Sequence, residues 1–421
     1  MSGFLFFIRR NLMTYQFHTN TDPALLDEFV MNSDQNNLFQ CSNWVKVKNN
    51  WGHMLTSVTD EEGKIVASAL VLIRKMPLGN TLFYVPKGPV MNYNDHNLVR
   101  FMFDNLIREA KKQHAIALRF DPKVMYRRYD VKLKDQENPT MNEGVIAFLK
   151  SLGAKHKGFT KLIAETTQPR FNAEMDVDPD YYDHLDRKTI RSIETAKKKG
   201  TEVFTGHEYL KDFCTAMHYT EVRKQIALRN EEYFRNMMDV YGNEALCMVA
   251  KLNLKKQMEM LESRIAEHEE ALKGELTRKQ KGIHERGLAE DTAELEKLRA
   301  DRETEGSDEM ILCGILACFN KNMMEIFYMG NNPNAMRIRA SYLLYNKCIE
   351  YCAEHGIHEC SFGGMEGTLD DGLTVFKSNF LMNVEEAIGE FNFIFNKPVY
   401  WAFDKAYPYM LKTAAKIRSK E

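Results

Sequence analysis

The 421-residue sequence predicts two related α/β domains with mixed sheets, the second interrupted by an antiparallel helical coiled-coil arm. Three observations predict it. An order of strands and helices occurs twice, a charged insertion carries a four-three apolar step, and a composition of 44% hydrophobic and 28% charged residues suits a soluble globular protein.

The first run reads IVASALVLI (65–73), TLFYVPKGPV (81–90), a helix over 94–113, and HAIALRFDP (114–122). The second reads MILCGILACF (310–319), MEIFYMGNN (324–332), a helix over 334–355, and GIHECSFGG (356–364). Each gives an apolar strand, a short turn, a strand ending in Phe-Tyr, a helix and a buried strand. Spaced apolar residues mark the helices: Leu98, Met102 and Leu106 in one, Ile338, Leu343, Leu344 and Ile349 in the other. Phe83-Tyr84 aligns with Phe327-Tyr328. Chance recurrence is the plain alternative, but two runs of matched spacing favour duplication and mixed sheets.

Within 251–306 charged residues dominate and aromatics vanish. Leu254, Met258, Leu261, Ile265, His268 and Leu272 step as a coiled-coil seam, and Leu288, Leu295 and Leu298 form a weaker one. Gly274, Gly282 and Gly287 lie between them, so a hairpin fits better than one helix. At 1.5 Å per residue its arms reach about 40 Å. A solvated spacer or dimer contact is the plain reading of such an arm, and a reach toward an elongated partner such as tRNA is the functional one. The domains are thus expected at 13–165 and 166–395, with the arm at 251–306, a 1–12 extension, and a helical segment at 396–421 packing back on the first domain.

The net charge of −2 excludes a polycation, so any nucleic-acid contact needs a local patch. Eight scattered cysteines form no CxxC, which points to a reducing cytosol. Cys348, Cys352, His355, His358 and Cys360 cluster without any standard zinc spacing, and a helix running into a strand accounts for them better than a metal. The apolar start, MSGFLFFIRRN, is too short to span a bilayer and lacks the features of a signal peptide.

Walker A, G-x-G-x-x-G, G-x-S-x-G and H-E-x-x-H motifs are absent, as is a coenzyme A pyrophosphate loop after either Phe-Tyr strand. An acyltransferase-like α/β chain without that loop needs another acyl donor, and no cofactor is expected. RKTIRSIETAKKKG (187–200) reads as a basic helix, equally a solvated face or a phosphate contact. In HYTEVRKQIALRNEEYF (218–234), Arg223 and Arg229 suit bidentate phosphate binding, with Tyr233 one turn past Arg229. Pairing with Glu221, Glu231 or Glu232 is the structural alternative. LFQCSNWVKVKNNWG (38–52) sets Lys46 and Lys48 beside Trp44 and Trp51. GLTVFKSNF (372–380) holds Lys377 among apolar neighbours, where a snorkelling surface lysine is the ordinary reading.

Taken in order with the arm, these segments resemble the FemABX family of bacterial tRNA-dependent aminoacyltransferases from about residue 13 onward. The resemblance implies two tandem acetyltransferase (GNAT)-like domains. It implies transfer of an aminoacyl group (alanine, serine or glycine) from aminoacyl-tRNA to an amine of a peptidoglycan precursor, lipid II or its nucleotide-linked form. The acceptor would be the stem-peptide lysine or a residue already added, and the product an interpeptide bridge. The expected localisation is cytoplasmic, and a peripheral visit to the inner membrane face is left open by the composition.

Residue by residue, Lys48 and Arg229 match positions that hold precursor phosphates, with Lys46 and Arg223 as alternatives. Tyr233 and Tyr328 match tyrosines of the same cleft. Asp121 matches an acidic residue near the acceptor amine. Phe376 and Lys377 match a Phe-Lys pair beside the tRNA acceptor end. Lys377 is then a candidate for oxyanion stabilisation or for gripping the tRNA 3′ end, and Asp121 for orienting or deprotonating the amine. The terminal hydroxyl of the tRNA is another route for that proton. A coenzyme A-dependent N-acyltransferase and a non-enzymatic tRNA-binding scaffold are the competing readings.

Overall fold

The computed structural model describes residues 14–224 and 228–405. The expected 1–12 extension, and residues 406–421 of the expected C-terminal segment, lie outside them. In chain order the strands are β1 (Gln16–His18), β2 (Gly52–Thr59), β3 (Ile65–Lys75), β4 (Thr81–Val85), β5 (Val90–Met91), β6 (Ala115–Phe120), β7 (Met125–Asp130), β8 (Lys155–His156), β9 (Phe171–Asp176), β10 (Thr201–Thr205), β11 (Ala245–Asn253), β12 (Glu309–Phe319), β13 (Met323–Asn331), β14 (Glu359–Met365), β15 (Asn383–Ala387) and β16 (Phe391–Ile394). The helices are α1 (Pro23–Met31), α2 (Asn43–Val47), α3 (His96–Lys112), α4 (Glu143–Ser151), α5 (Arg187–Lys198), α6 (Leu210–Lys224), α7 (Glu231–Tyr241), α8 (Leu254–Leu272), α9 (Arg278–Glu305), α10 (Ala340–Glu354) and α11 (Gly372–Lys377). Residues 397–405 are also helical.

The chain divides into two units. Among the described residues, one holds 14–173, 364–376 and 383–405, and the other 174–224, 228–363 and 377–382. The first unit has a mixed sheet in the order β1-β2-β3-β4-β6-β16-β8, with β5 paired to β3. Parallel strands need a long crossover, and α3 supplies it between β4 and β6. Its Asp95 cap accepts from the Asn97 and Leu98 N–H groups at 3.0 Å each. Leu98, Met102, Phe103, Leu106 and Ala110 then lie on one face, buried against the sheet. Strands β7 and β15 form an antiparallel pair in this unit, with Arg127–Glu386 and Arg128–Glu385 contacts across it.

In the second unit the order is β10-β11-β12-β13-β14, and β9 lies next to β14. Here α10 crosses between the parallel strands β13 and β14. The predicted duplication is visible in the register: Tyr84 stands opposite Leu72 in the first unit, and Tyr328 opposite Leu316 in the second. One difference is a bulge in the second copy, where Tyr328 pairs with Leu316 but Ile326 with Ala317, leaving Phe327 as the extra residue. Cys348, Cys352 and Cys360 are buried in α10 and β14, with the Cys352 Sγ 3.7 Å from the Met324 Sδ.

The arm is α8 and α9. Met258 and Leu261 are buried on one helix and Leu295 and Leu298 on the other. Arg264 reaches Asp291 at 2.6 Å, and the Nδ1 atoms of His268 and His284 meet at 3.0 Å nearer the tip. The histidine that interrupts the apolar seam in sequence thus takes its place by finding a polar partner.

Two expectations differ from the structure. The strand expected to end in Phe-Tyr does so to within a residue in the first run, where β4 stops at Val85 and a turn through Pro86–Pro89 sends Val90 back to pair with β3, but in the second run β13 continues past Tyr328 to Asn331. The stretch 166–395 is not one domain, because Phe391–Ile394 pairs with Ala117–Phe120 of the first unit.

Helix α6 crosses β12 and β13 where glycines admit it. A Cβ on Gly330 would stand 2.3 Å from the Ala216 carbonyl group. Gly330→Ala should therefore push α6 off the sheet and lower stability by roughly 1–3 kcal/mol, read as a fall in urea midpoint; an unchanged midpoint would show that the helix yields freely.

Candidate functional site

In the first unit the parallel strands β4 and β6 end side by side, and the chain beyond them is built around one carboxyl group. Asp121 follows β6 and is buried. Its Oδ2 accepts from the Tyr84 hydroxyl at 2.7 Å, and its Oδ1 from the Lys87 backbone N–H at 2.7 Å. Burial pushes this carboxyl up to about 7, the nearby Glu390 charge adds to the rise, and the two hydrogen bonds oppose it. Burial likewise raises the Tyr84 hydroxyl well above its ordinary value, with Asp121 reinforcing it. Near neutral pH the tyrosine therefore donates and the carboxyl titrates.

Glu390 behaves differently. Burial works to raise it, but Arg119, Lys157 and the Thr167 N–H overcome that and hold it below the usual carboxylate range. The Arg119 Nε lies 3.2 Å from the Glu390 Oε1 and also donates to Asn392 at 3.0 Å. Asp121, Glu390, Lys87 and Arg170 line a small cavity with Thr166, Gln168 and Gly389.

The turn that presents the Lys87 N–H is held by Gln40. Its Nε2 donates to the Pro86 and Leu70 carbonyls, and its Oε1 accepts from the Leu70 N–H. A Cβ on Gly88 would lie 2.5 Å from the Gln40 Cδ, so only glycine fits against this clamp. Gln40 belongs to the LFQCSNW segment, yet sequence reasoning drew attention to the lysines that follow. Lys48 sits with its Nζ 4.7 Å from the Trp44 ring, while Lys46 is exposed and bonds Asn43 at 3.1 Å.

A larger cavity of about 400 Å³ lies in the same unit. Tyr126, Phe159 and Phe171 give it aromatic walls, Arg127, Lys134 and Lys161 give it cations, and residues 367–369 close one side. The Arg170 guanidinium lies 4.4 Å from the Phe171 ring and is held by Glu386 at 2.5 Å. Aromatic faces beside guanidinium groups suit a planar anion such as a nucleotide.

In the second unit Arg229 lies 5.0 Å over the Tyr233 ring, and Tyr233 meets Tyr328 edge-on with centroids 6.3 Å apart. Burial raises Tyr233, and its hydrogen bond to Tyr328 adds to that. Asn230 caps α7 through the Tyr233 N–H, which fixes the ring's approach. Arg223 is exposed at the end of α6, and no interaction joins it to the Tyr233–Tyr328 pair among the described residues. Glu231 is taken by Arg235 and Glu221 accepts from the Leu228 N–H, and among the described residues no ion pair joins either arginine to Glu221, Glu231 or Glu232.

Lys377 is 3% exposed and so is not a snorkelling surface lysine. Asp371 starts α11 by accepting from the Leu373 and Thr374 N–H groups, and Lys377 ends it. The Lys377 Nζ donates to the Gly363 carbonyl at 3.1 Å, just past the last paired rung of β13 and β14, Glu325–Ser361. Phe376, the preceding residue, is half-buried.

Sequence reasoning missed Tyr84, Lys87, Glu390 and Arg119 as site groups. Tyr84 had a signal, its alignment with Tyr328. Glu390 had none, because it comes 269 residues after Asp121 (390 − 121).

The FemAB family model matches residues 22–408. Aminoacyltransferase FemB of Staphylococcus epidermidis is 26% identical over 404 residues, covering 90% of this chain and 95% of that protein. A Staphylococcus aureus protein, lipid II:glycine glycyltransferase, is 26% identical over 421 residues, covering 94% and 96%. Among crystal structures, FemX matches with a TM-score of 0.70 at 23% identity over 92% of this chain, a likeness of fold.

Asp121 makes a pH prediction. Its folded value of about 7 lies above the ordinary 3.8, so the folded state holds a proton that the unfolded chain has released. Its stabilising contribution is complete below about pH 4 and is lost as pH rises through 7. The Tm advantage of Asp121→Asn over wild type should therefore grow by several degrees between pH 5 and pH 8. A difference that stays flat with pH would show that Asp121 is not perturbed.

Proposed function

The chain belongs to the FemAB family, and from that premise we propose that it is an aminoacyltransferase that moves an amino acid from aminoacyl-tRNA to an amine of the lipid II-linked peptidoglycan precursor. The observation that carries this reading is a buried carboxyl titrating near neutral pH in a chain that aligns almost end to end with named aminoacyltransferases.

The chemistry needs little from the protein beyond position and a proton path. The ester of aminoacyl-tRNA is already activated. The acceptor amine must lose a proton, attack the ester carbonyl and form an amide, while the ribose hydroxyl departs and takes up a proton. A carboxyl poised near pH 7 takes the proton from the acceptor ammonium, freeing the amine to attack, far better than an ordinary aspartate at 3.8. Tyr84 and the Lys87 N–H keep the carboxyl oriented while it does so.

The precursor's phosphates have a candidate ligand in Arg229, which Tyr233 holds as a flat platform. The donor's terminal nucleotide has candidate partners in the aromatic, cationic cavity closed by residues 367–369 and in the Phe376-Lys377 pair further along the same segment. Lys377 is a buried lysine, and in its ammonium form it is the kind of group that stabilises a developing oxyanion. Glycine, alanine and serine are the candidate amino acids, glycine being the one in the relative's name.

Three variants test this with charged tRNA and lipid II. Asp121→Asn should lower kcat by roughly a hundredfold or more, and wild-type kcat/KM should rise with pH and level off above about 7. Lys377→Met should fall similarly, and near-wild-type transfer would remove it from the chemistry. Arg229→Ala should raise the KM for the precursor with a smaller change in kcat. If no charged tRNA supports transfer by wild type, the reading fails.

A further inference from the structure

We infer that the first unit carries a docking edge for an anionic lipid bilayer, formed by the β3–β4 hairpin tip and the helix at 397–405. The inference deepens the reading above and rests on it for its purpose, since a lipid-linked acceptor must be met at a membrane.

Residues 76–80 join β3 to β4. At the tip, Leu78 is 97% exposed and adopts a left-handed backbone with φ 60 and ψ 31. Such a position suits glycine or asparagine. A leucine there accepts conformational strain and gains no burial within the fold. Met76, two residues earlier, packs inward with Val399, Tyr400 and Phe403 against Leu82, Ile116 and Ala117. The terminal helix is thereby fixed beside the tip, and its outer face is set. On that face Lys397, Trp401 and Lys405 follow one another at intervals of four residues, and Trp401 is 66% exposed.

The charge at this edge is positive. Lys75 is exposed beside the tip. Arg74 lies 5.7 Å from the Trp51 ring and 5.8 Å from the Phe403 ring, so a cation sits between the hairpin and the helix. Asp404, the acid on this helix, faces Arg119 at 3.8 Å.

Singly exposed apolar residues are ordinary. An aliphatic tip, an exposed indole and the exposed Lys75, Lys397 and Lys405 match the demands of a bilayer interface. The leucine enters the acyl boundary, the indole lies at headgroup depth, and the lysines meet lipid phosphates. RNA would use the cations and the indole but has no use for Leu78. Strand β4 also leads away from this edge. Tyr84, which holds Asp121, stands three residues past Thr81, roughly 10 Å along the strand. That offset leaves room for the headgroup of a lipid-linked acceptor.

The test is co-sedimentation of the full chain with phosphatidylglycerol–phosphatidylcholine vesicles that contain no lipid II. Wild type should bind these vesicles, bind pure phosphatidylcholine at least tenfold more weakly, and lose binding as salt rises. Leu78→Asp and Trp401→Ala should each weaken anionic-vesicle binding by roughly tenfold while keeping the wild-type melting temperature and the wild-type rate with a water-soluble acceptor peptide. Brominated lipids should quench the Trp401 emission that Trp401→Ala removes. Equal vesicle binding by wild type and both variants overturns the proposal. So does weakened tRNA retention with vesicle binding intact, or a wild-type dimer that Leu78→Asp converts to monomer. Vesicle binding without transfer to any acceptor would support the docking edge and defeat the proposed activity, so the two readings fail separately.

Discussion

The buried ion pair between Arg119 and Glu390 decides what Asp121 can do. Two carboxyls share a region from which water is excluded, and one guanidinium serves only one of them. Glu390 takes the cation and stays ionised. Asp121 is left with neutral donors, which orient it without cancelling the cost of a buried charge. A pair of environments that pushes two carboxyls apart in acidity assigns their roles: one is a fixed anion, the other a group that exchanges protons near neutral pH. Arg119 also donates to Thr167, Asn392 and Tyr400, so the same side chain ties the catalytic candidate to three separate segments.

The repeat sets the candidate groups of the two units at equivalent openings that are lined differently. In each, two parallel strands separate at their ends after a tyrosine held at an equivalent register. In the first copy the space is filled by an aspartate and a turn that gives it a backbone N–H. In the second, a bulge at Phe327 reorients the strand, Tyr328 receives Tyr233, and the carbonyl of Gly363 receives a lysine. The equivalent openings hold an aspartate in one unit and a lysine in the other.

Much of this was legible in the residues. Alternation, helical spacing and the matched Phe-Tyr pairs located both β-β-α-β runs, and the seam from Leu254 to Leu272 located the arm. Asp121 is singled out through the family resemblance, not through a local pattern, although it directly follows the buried strand β6. The limits were also physical. The chain from 383 onward returns to the first unit, and no local pattern in Phe391–Ile394 says which of two similar sheets it will join. Gln40 resembled any polar residue before an aromatic segment, because its role depends on carbonyls at positions 70 and 86. Lys377 looked like a surface residue because sequence records its apolar neighbours but not the carbonyl that accepts from it.

That late return has a meaning for how the protein is made. A ribosome delivers the chain from its N-terminus, and a domain whose strands are contiguous can fold while the rest is still being synthesised. The first unit has no such opportunity. Strand β6 stays an unpaired edge on one side until residues 391–394 emerge, after the arm and the whole second repeat have been translated. During that interval Arg119 lacks Glu390, and an apolar strand offers its backbone to any neighbour. The order of synthesis therefore makes this enzyme-like site the last thing to form, and it makes a nascent chain stalled short of Glu390 an aggregation hazard rather than a partly active fragment.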